Sequence, residues 1–438
     1  MGVILVSLGV YFLWRNEKLN LFLLYLASYL IVPSNQYIES ILGVFIFGID
    51  IRNLLTVMLL VLLILDLGKS VIKIKKLSFY YVLVTISIII IYYLLGYANE
   101  NEFVFLDFKI YLNLVILYFI ISQVIKDKED IKKVMNSLIF FGLLYALVVI
   151  YIYTFHQNDL PTIYGDRLYS WWGKRIYFTN NSFLIISTFL ATYLMFKGEK
   201  RFYHILVIIS GLTAILMSQT KTLIIVVLIN YILMFLISFI IQIKNSEVKL
   251  KLLFLSPFLA ILISFITLVT YFHVKENADG LLFNVIERFS DDGESLTVRN
   301  ITNNIYFSSI LNNPLGQGLG KELVLYDVNG SIASSSLFID NAFITVGIKA
   351  GIVGMLLLLI LVCRMEFNIL KIYLISGKTI DLLLLFIHIT FLIIIAIMNA
   401  QILYSPSISL LYITMYVLIN RRKQLYLAKI NQNTMNYE

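Results

Sequence analysis

Six cations, one Asp-Asn pair and a run of spaced glycines are the groups in this chain best placed to do chemistry: Arg167, Arg175, Lys221, Arg288, Arg299, Lys349, Asp340-Asn341, and Gly316, Gly318 and Gly320. An arginine presents a planar fork that pairs two phosphate oxygens and cannot lose its charge, whereas a lysine is a compact point charge. Lys349 lies eight residues inside an apolar run, where a charge costs a few kcal/mol unless it faces a polar cavity or reaches the interface. The glycines permit tight turns and close approach of backbone to a ligand. Their GxGxG spacing follows no strand and no βαβ unit, which argues against a dinucleotide site. The four histidines (His156, His204, His273 and His388) lie far apart and none is read as part of a ligand set with a cysteine or carboxylate, so neither a metal nor another cofactor is expected. The single cysteine, Cys363, excludes an internal disulfide.

These groups are set in a very apolar frame. Of 438 residues, 60% are hydrophobic and 14% charged, and the mean hydropathy is +0.89. A soluble domain carries about 25% charged residues. Apolar runs near 2–14, 19–33, 52–67, 79–97, 109–125, 134–154, 180–196, 203–218, 221–242, 252–272, 342–363, 381–399 and 408–420 approach the roughly 20 residues that a helix needs to cross a bilayer. The runs are continuous rather than alternating, which excludes a β-barrel. The expected fold is an all-α integral-membrane bundle of about 12–13 transmembrane helices, the count turning on whether 2–14 spans. Met1 leads directly into apolar residues with no basic segment before them, so a cleaved signal peptide is not expected.

Segments 15–18, 69–76, 126–133, 197–201, 244–251, 364–378 and 421–429 hold 23 of the 34 basic residues and alternate with the spans. By the positive-inside rule they are cytoplasmic, as is the C-terminus. The net charge of +8 then reflects topology and anionic headgroups, and nucleic acid is not an expected partner. Three regions follow: residues 1–272, N-terminal spans including an outer loop at 155–179; residues 273–341, a large outer loop; and residues 342–438, C-terminal spans and a basic tail. Within the large loop, 295–314 reads as a surface helix with Ser295 as N-cap, Arg299 in its first turn and Asn312-Asn313-Pro314 as its stop. Arg52, Lys109, Lys174, Lys275 and Lys321 complete the outer cations. Asp291, Asp292 and Glu294 read as a solvated face or, alternatively, as a proton acceptor, and Asp340 stands where an N-cap aspartate belongs. Tyr164, Tyr169, Trp171, Trp172, Tyr177 and Phe178 crowd the 155–179 loop, as an interfacial belt or as rings beside a carbohydrate.

"SLTVRN" at 295–300, "NNPLGQGLG" at 312–320 and "FIDNAFITVGIKAGIVG" at 338–354 together resemble the signature region of the O-antigen polymerase and O-antigen ligase (Wzy/WaaL-like) superfamily. "LMSQTKT" at 216–222 is similar to that family's short outer turn, and "KRIYFTNNSF" at 174–183 to its Arg-then-Asn approach to a span. As topology the resemblance covers most of the chain, as motif about 60 residues. Two departures stand out: Asp340-Asn341 replaces the ligase-type His-Asn, and Gln219 with Lys221 nearby replaces the arginine of the short turn.

The resemblance implies a GT-C-like membrane glycosyltransferase that draws on a polyprenyl-diphosphate-linked oligosaccharide, with no cofactor and no metal. It implies Arg299 and Arg175 as the cations on the diphosphate and Asp340 as the group taking the acceptor's proton. Arg167, Lys221, Arg288, Asn341, Lys349, Gly316 and Gly318 follow as substrate contacts. It further implies polymerisation of surface polysaccharide such as capsule, exopolysaccharide or O-antigen, outside a bacterial cytoplasmic membrane, beside a flippase and a chain-length regulator. Ligase-type transfer to a lipid or wall acceptor, and a precursor transporter or flippase, are the alternatives. A transporter would place ionisable residues or broken helices near the midplane and show repeated halves.

Overall fold

The computed structural model describes residues 1–46, 48–68, 76–165, 176, 178–196, 201–220, 223–231, 292–326, 332–339, 341–376 and 401–435. Apolar stretches with no internal breaker become helices because only a helix pairs every backbone group within its own segment. In chain order these are α1 (Gly2–Trp14), α2 (Lys18–Leu30), α3 (Gln36–Ile41), α4 (Ile51–Gly68), α5 (Lys76–Ala98), α6 (Val104–Val124), α7 (Lys128–Phe155), α8 (Leu160–Tyr164), α9 (Asn181–Phe196) and α10 (Arg201–Met217). Then follow α11 (Asp292–Asn312), α12 (Ala342–Ser376), α13 (Gln401–Tyr404) and α14 (Pro406–Met435). Two small antiparallel hairpins interrupt them, β1 (Phe45–Ile46) with β2 (Ile49–Asp50), and β3 (Leu323–Tyr326) with β4 (Ile332–Ser336).

Helix starts follow local chemistry. Asp127 and Asp130 form a capping box at α7: the Asp130 amide donates to Asp127 at 2.8 Å, and the Asp127 amide donates back at 3.3 Å. Asn35 caps α3 by accepting from the Tyr37 and Ile38 amides. The cap of α12 is Asn341, which accepts from Phe343 at 3.0 Å and Ile344 at 3.2 Å. That corrects the expectation of a cap at Asp340: an N-cap must precede the first helical residue directly, and that residue is Ala342.

The described residues are mostly helical. Among the described residues, 104–124, 128–155 and 342–374 are helices long and apolar enough to cross a membrane, and shorter apolar helices surround them. Large side chains such as Ile64, Phe105 and Ile360 are 58–70% exposed on outward faces while Leu59, Ile121 and Phe189 are wholly buried. Apolar surface on both sides of the same layer suits a bundle embedded in lipid. The expected spans at 252–272 and 381–399 lie outside the described residues, as does most of 221–242, of which 223–231 is helical.

Contacts sort the helix ends into two sets. At one end Lys18 meets Asp66, Lys133 donates to Asn20 at 2.5 Å, Arg421 donates to the Ser122 carbonyl at 2.5 Å, and Lys423 meets Asn368. At the other, Ser34 bonds Asn180, Asn35 bonds the Ile163 carbonyl, and the 314–320 loop meets α5, α6 and α12.

One large core fills the bundle. A second, small core of Ile310, Leu323, Ile339, Ile344 and Ile348 joins α11 and β3 to the start of α12. The long loop of the sequence reading is therefore, over 292–339, a helix and a hairpin packed as a module. Helix α11 starts at Asp292 rather than after Ser295, which moves Arg299 out of the first turn. The helix that begins on the apolar run at 342 continues to Ser376, broken at Gly351, whose φ of 63° and ψ of −165° are not helical.

Candidate functional site

The break in α12 frees backbone groups that need partners, since each unsatisfied group in a dry interior costs several kcal/mol. The loop after α11 supplies them. Gln317 and Gly318 donate their amides to the Ile348 and Lys349 carbonyls at 2.8 and 2.9 Å, and Ile352 donates to the Pro314 carbonyl at 2.9 Å. On its other side the loop meets α5 and its exit: Leu319 donates to the Tyr92 carbonyl, while Asn99 and Asn101 donate to the Gln317 carbonyl at 3.0 and 2.8 Å. Gly316 and Gly318 have φ of +83° and +81°, and a Cβ on them would lie 2.4 Å from the Gly351 nitrogen and 2.1 Å from the Gly96 nitrogen. The close approach expected toward a ligand is made to the protein's own helices.

Beneath this loop lies a buried ion pair. Lys349 and Asp107 have no exposed side-chain surface, and the Lys349 ammonium donates to Asp107 Oδ2 and, at 2.8 Å, to the Tyr404 hydroxyl. The Gly320 amide donates to the same Asp107 oxygen at 2.7 Å. Tyr404 stacks on Phe338 at 4.8 Å, and its hydroxyl lies 3.4 Å from that of Tyr111. Both charges sit where helix dipoles favour them: Asp107 in the first turn of α6, Lys349 in the last turn before the break in α12. Lys349 therefore does not reach the interface; its charge is met inside the protein.

Asn180, Asn181, Ser405 and Ser407 build a neutral cluster. Asn180, fully buried, donates to the Tyr29 and Val32 carbonyls at 2.8 and 2.7 Å and accepts from Ser34 at 2.5 Å and Ser407 at 2.8 Å. Asn181 accepts from Tyr145 at 2.6 Å and donates to the Ile176 carbonyl at 2.8 Å. Ser405 bridges toward Ser407 and Thr179. Gln219, at the turn after α10, is also buried, with φ of +47° and a side-chain Nε2 that has no partner among the described residues.

Arg299 is half-buried on α11, one turn before Thr302 and two before Tyr306. The Tyr306 hydroxyl donates to the Val324 carbonyl at 3.0 Å and accepts from the Val324 amide, pinning β3 to the helix. Burial pushes that hydroxyl above its usual range, so it stays protonated.

Of the residues singled out in the sequence, Arg167, Arg175, Lys221, Arg288 and Asp340 lie outside the described residues. Asn341 spends its side-chain oxygen on the α12 cap. Arg52, grouped with the outer cations, is nearly buried and bonded to Glu39 at 2.8 Å and Asp50 at 2.9 Å. Sequence reasoning overlooked Asp107 and Tyr404, and met Asn180 only within the Arg-then-Asn stretch. A signal existed for the first: a lone carboxylate within "FVFLDFKIYL" is an ionisable residue in an apolar stretch, the natural partner for a buried lysine. No protein-family model, curated protein or solved structure matches this chain.

Proposed function

We propose that this chain is an integral-membrane glycosyltransferase of the O-antigen polymerase and ligase kind, a GT-C-like bundle of about 12–13 spans that polymerises oligosaccharide units carried on polyprenyl diphosphate. One observation carries the reading. Stretches far apart in sequence that hold the family-like motifs meet at one end of the bundle, through Asn180 to Ser407, Tyr404 to Lys349, and Lys349 to the glycine loop. Basic side chains gather at the opposite end, which supports an outward-facing site and a cytoplasmic C-terminus in a bacterial inner membrane.

In this reading an acceptor hydroxyl attacks the anomeric carbon of the donor sugar. The bond from that carbon to the diphosphate breaks, the hydroxyl proton passes to Asp340, and Arg299 and Arg175 hold the negative charge that builds on the departing diphosphate. The Asp340 carboxylate in place of a ligase-type histidine favours polymerase over ligase. A flippase that delivers the units and a chain-length regulator are natural partners.

The test uses membrane vesicles supplied with purified lipid-linked repeat units. Arg299→Ala and Arg175→Ala should each slow chain growth about a hundredfold, as loss of one charge-stabilising donor does, with delivery of units unchanged. Normal chain length in both variants removes the reading. The transporter alternative gains one observation, the broken helix beside a buried ion pair. Asp107, however, is the fourth residue of α6, and Lys349 is about 10 Å along α12 at 1.5 Å per residue. The pair thus lies toward one end of the bundle, and a carrier site belongs at the midplane.

A further inference from the structure

Helical threonines in this protein follow a habit. Seven of them, from Thr56 in α4 to Thr414 in α14, turn the hydroxyl onto the carbonyl four residues back, at 2.6–2.9 Å. That local bond is how a buried hydroxyl in a helix is normally satisfied. Thr302 on α11 departs from it: its side chain is buried, 4% exposed, and its Oγ1 has no partner among the described residues. An unmade hydrogen bond of this kind costs about 1–3 kcal/mol, so a hydroxyl not spent on its own helix is open to an acceptor from elsewhere.

Position indicates what that is. Thr302 follows Arg299 by three residues, so the two side chains share a face with their Cβ atoms about 5–6 Å apart. A guanidinium carries five N–H donors and can hold a protein neighbour and an anion together. Tyr306, one turn further on the same stripe, fixes the helix to β3 and Ile310 fixes it to the small core, so the pair stands on a rigid element. Hydroxyl and guanidinium together present donors, and what they suit is an acceptor-only group: a phosphate oxygen. We infer that Thr302 and Arg299 form one anion-binding clamp on α11, taking the phosphate oxygens of a diphosphate. This deepens the proposed function and rests on it for the choice of a lipid-linked source; the clamp itself rests on α11.

The test is binding, measured on the full chain in neutral-lipid nanodiscs. Farnesyl diphosphate, inorganic pyrophosphate and phosphatidylglycerol serve as probes, with thermal unfolding of each variant measured alongside. Thr302→Val keeps the shape and removes the hydroxyl; Thr302→Ser keeps the hydroxyl. The clamp predicts that Thr302→Val weakens diphosphate binding about tenfold, the loss expected for one hydrogen bond to a charged group, at an unchanged or raised unfolding temperature. Thr302→Ser should bind as wild type does. Competition by pyrophosphate alone would identify a free anion as the source, competition by phosphatidylglycerol a general headgroup, and competition by neither the prenyl diphosphate.

Equal binding by Thr302→Val and wild type overturns the clamp. So does a fall in unfolding temperature that tracks the loss of binding, because the hydroxyl would then be structural, and so does a wild type that binds none of the three probes. A wild type that binds farnesyl diphosphate through Thr302 yet extends no chains leaves the clamp standing and removes the transferase. Active chain growth undiminished in Thr302→Val does the reverse.

Discussion

Where α7, α9 and α10 cross, the contact is made by removing side chains: Gly142 faces Ser187 and Gly211 faces Thr188, at distances where an added Cβ would sit 2.2–2.3 Å from its neighbour. Small residues let these backbones approach, and packing does the rest, as in helix pairs that gain nothing from water exclusion. Under α11 the arrangement is different. Five aliphatic residues make the small core, and the junction to the bundle consists mainly of backbone hydrogen bonds around the break at Gly351 and one buried ion pair. A packed seam tolerates the loss of one contact because its neighbours remain. A junction of freed carbonyls and paired charges does not, because each group left behind is polar and dry.

The junction should therefore fail first. Gly318→Val adds a side chain where a Cβ already lies 2.1 Å from the Gly96 nitrogen, at a φ of +81°. It should undock the module outright, read as protease cleavage within 292–341 while the bundle stays folded. Lys349→Met alone leaves the Asp107 charge buried without its partner and should cost about 3–5 kcal/mol in unfolding experiments in detergent. Asp107→Asn with Lys349→Met removes both charges, keeps an acceptor for the Gly320 amide, and should recover most of that loss. A double variant no better than the single would mean that the charges themselves are needed.

Paired truncations sharpen the contrast between the cores. Leu59→Ala in the bundle and Ile310→Ala in the small core should each cost about 2–4 kcal/mol. The first should lower the unfolding of the whole chain, the second should loosen only α11 and the hairpin, as seen by amide exchange. Asn341→Ala removes the α12 cap, worth about 1 kcal/mol. The smallest effect is expected at Arg15→Ala, whose exposed contact to Glu17 at 3.9 Å should be worth under about 0.5 kcal/mol.

Legibility in the sequence followed the same division. Helices α1, α2, α4, α9 and α10 lie within a few residues of the apolar runs, because a helix in lipid is defined by its own composition. The β3–β4 hairpin was missed although Asn329-Gly330, a favoured hairpin turn, stands between the strands. The break at Gly351 had no such signal. Glycines at 347, 351 and 354 look alike within the run, and only the loop that meets Gly351 singles it out.

Apolar composition and the spacing of basic residues were enough to specify a helical chain suited to lipid, since both are local properties summed over short windows. The pairing of Lys349 with Asp107, 242 residues away, was decided only when the chain folded, because the need of a buried charge for a partner says nothing about where along the chain that partner lies. The same holds for Gly316 and Gly318. Their freedom to approach something closely is written in the residue type, but that they approach α12 and α5 rather than a ligand is a consequence of which backbone groups the broken helix left unpaired.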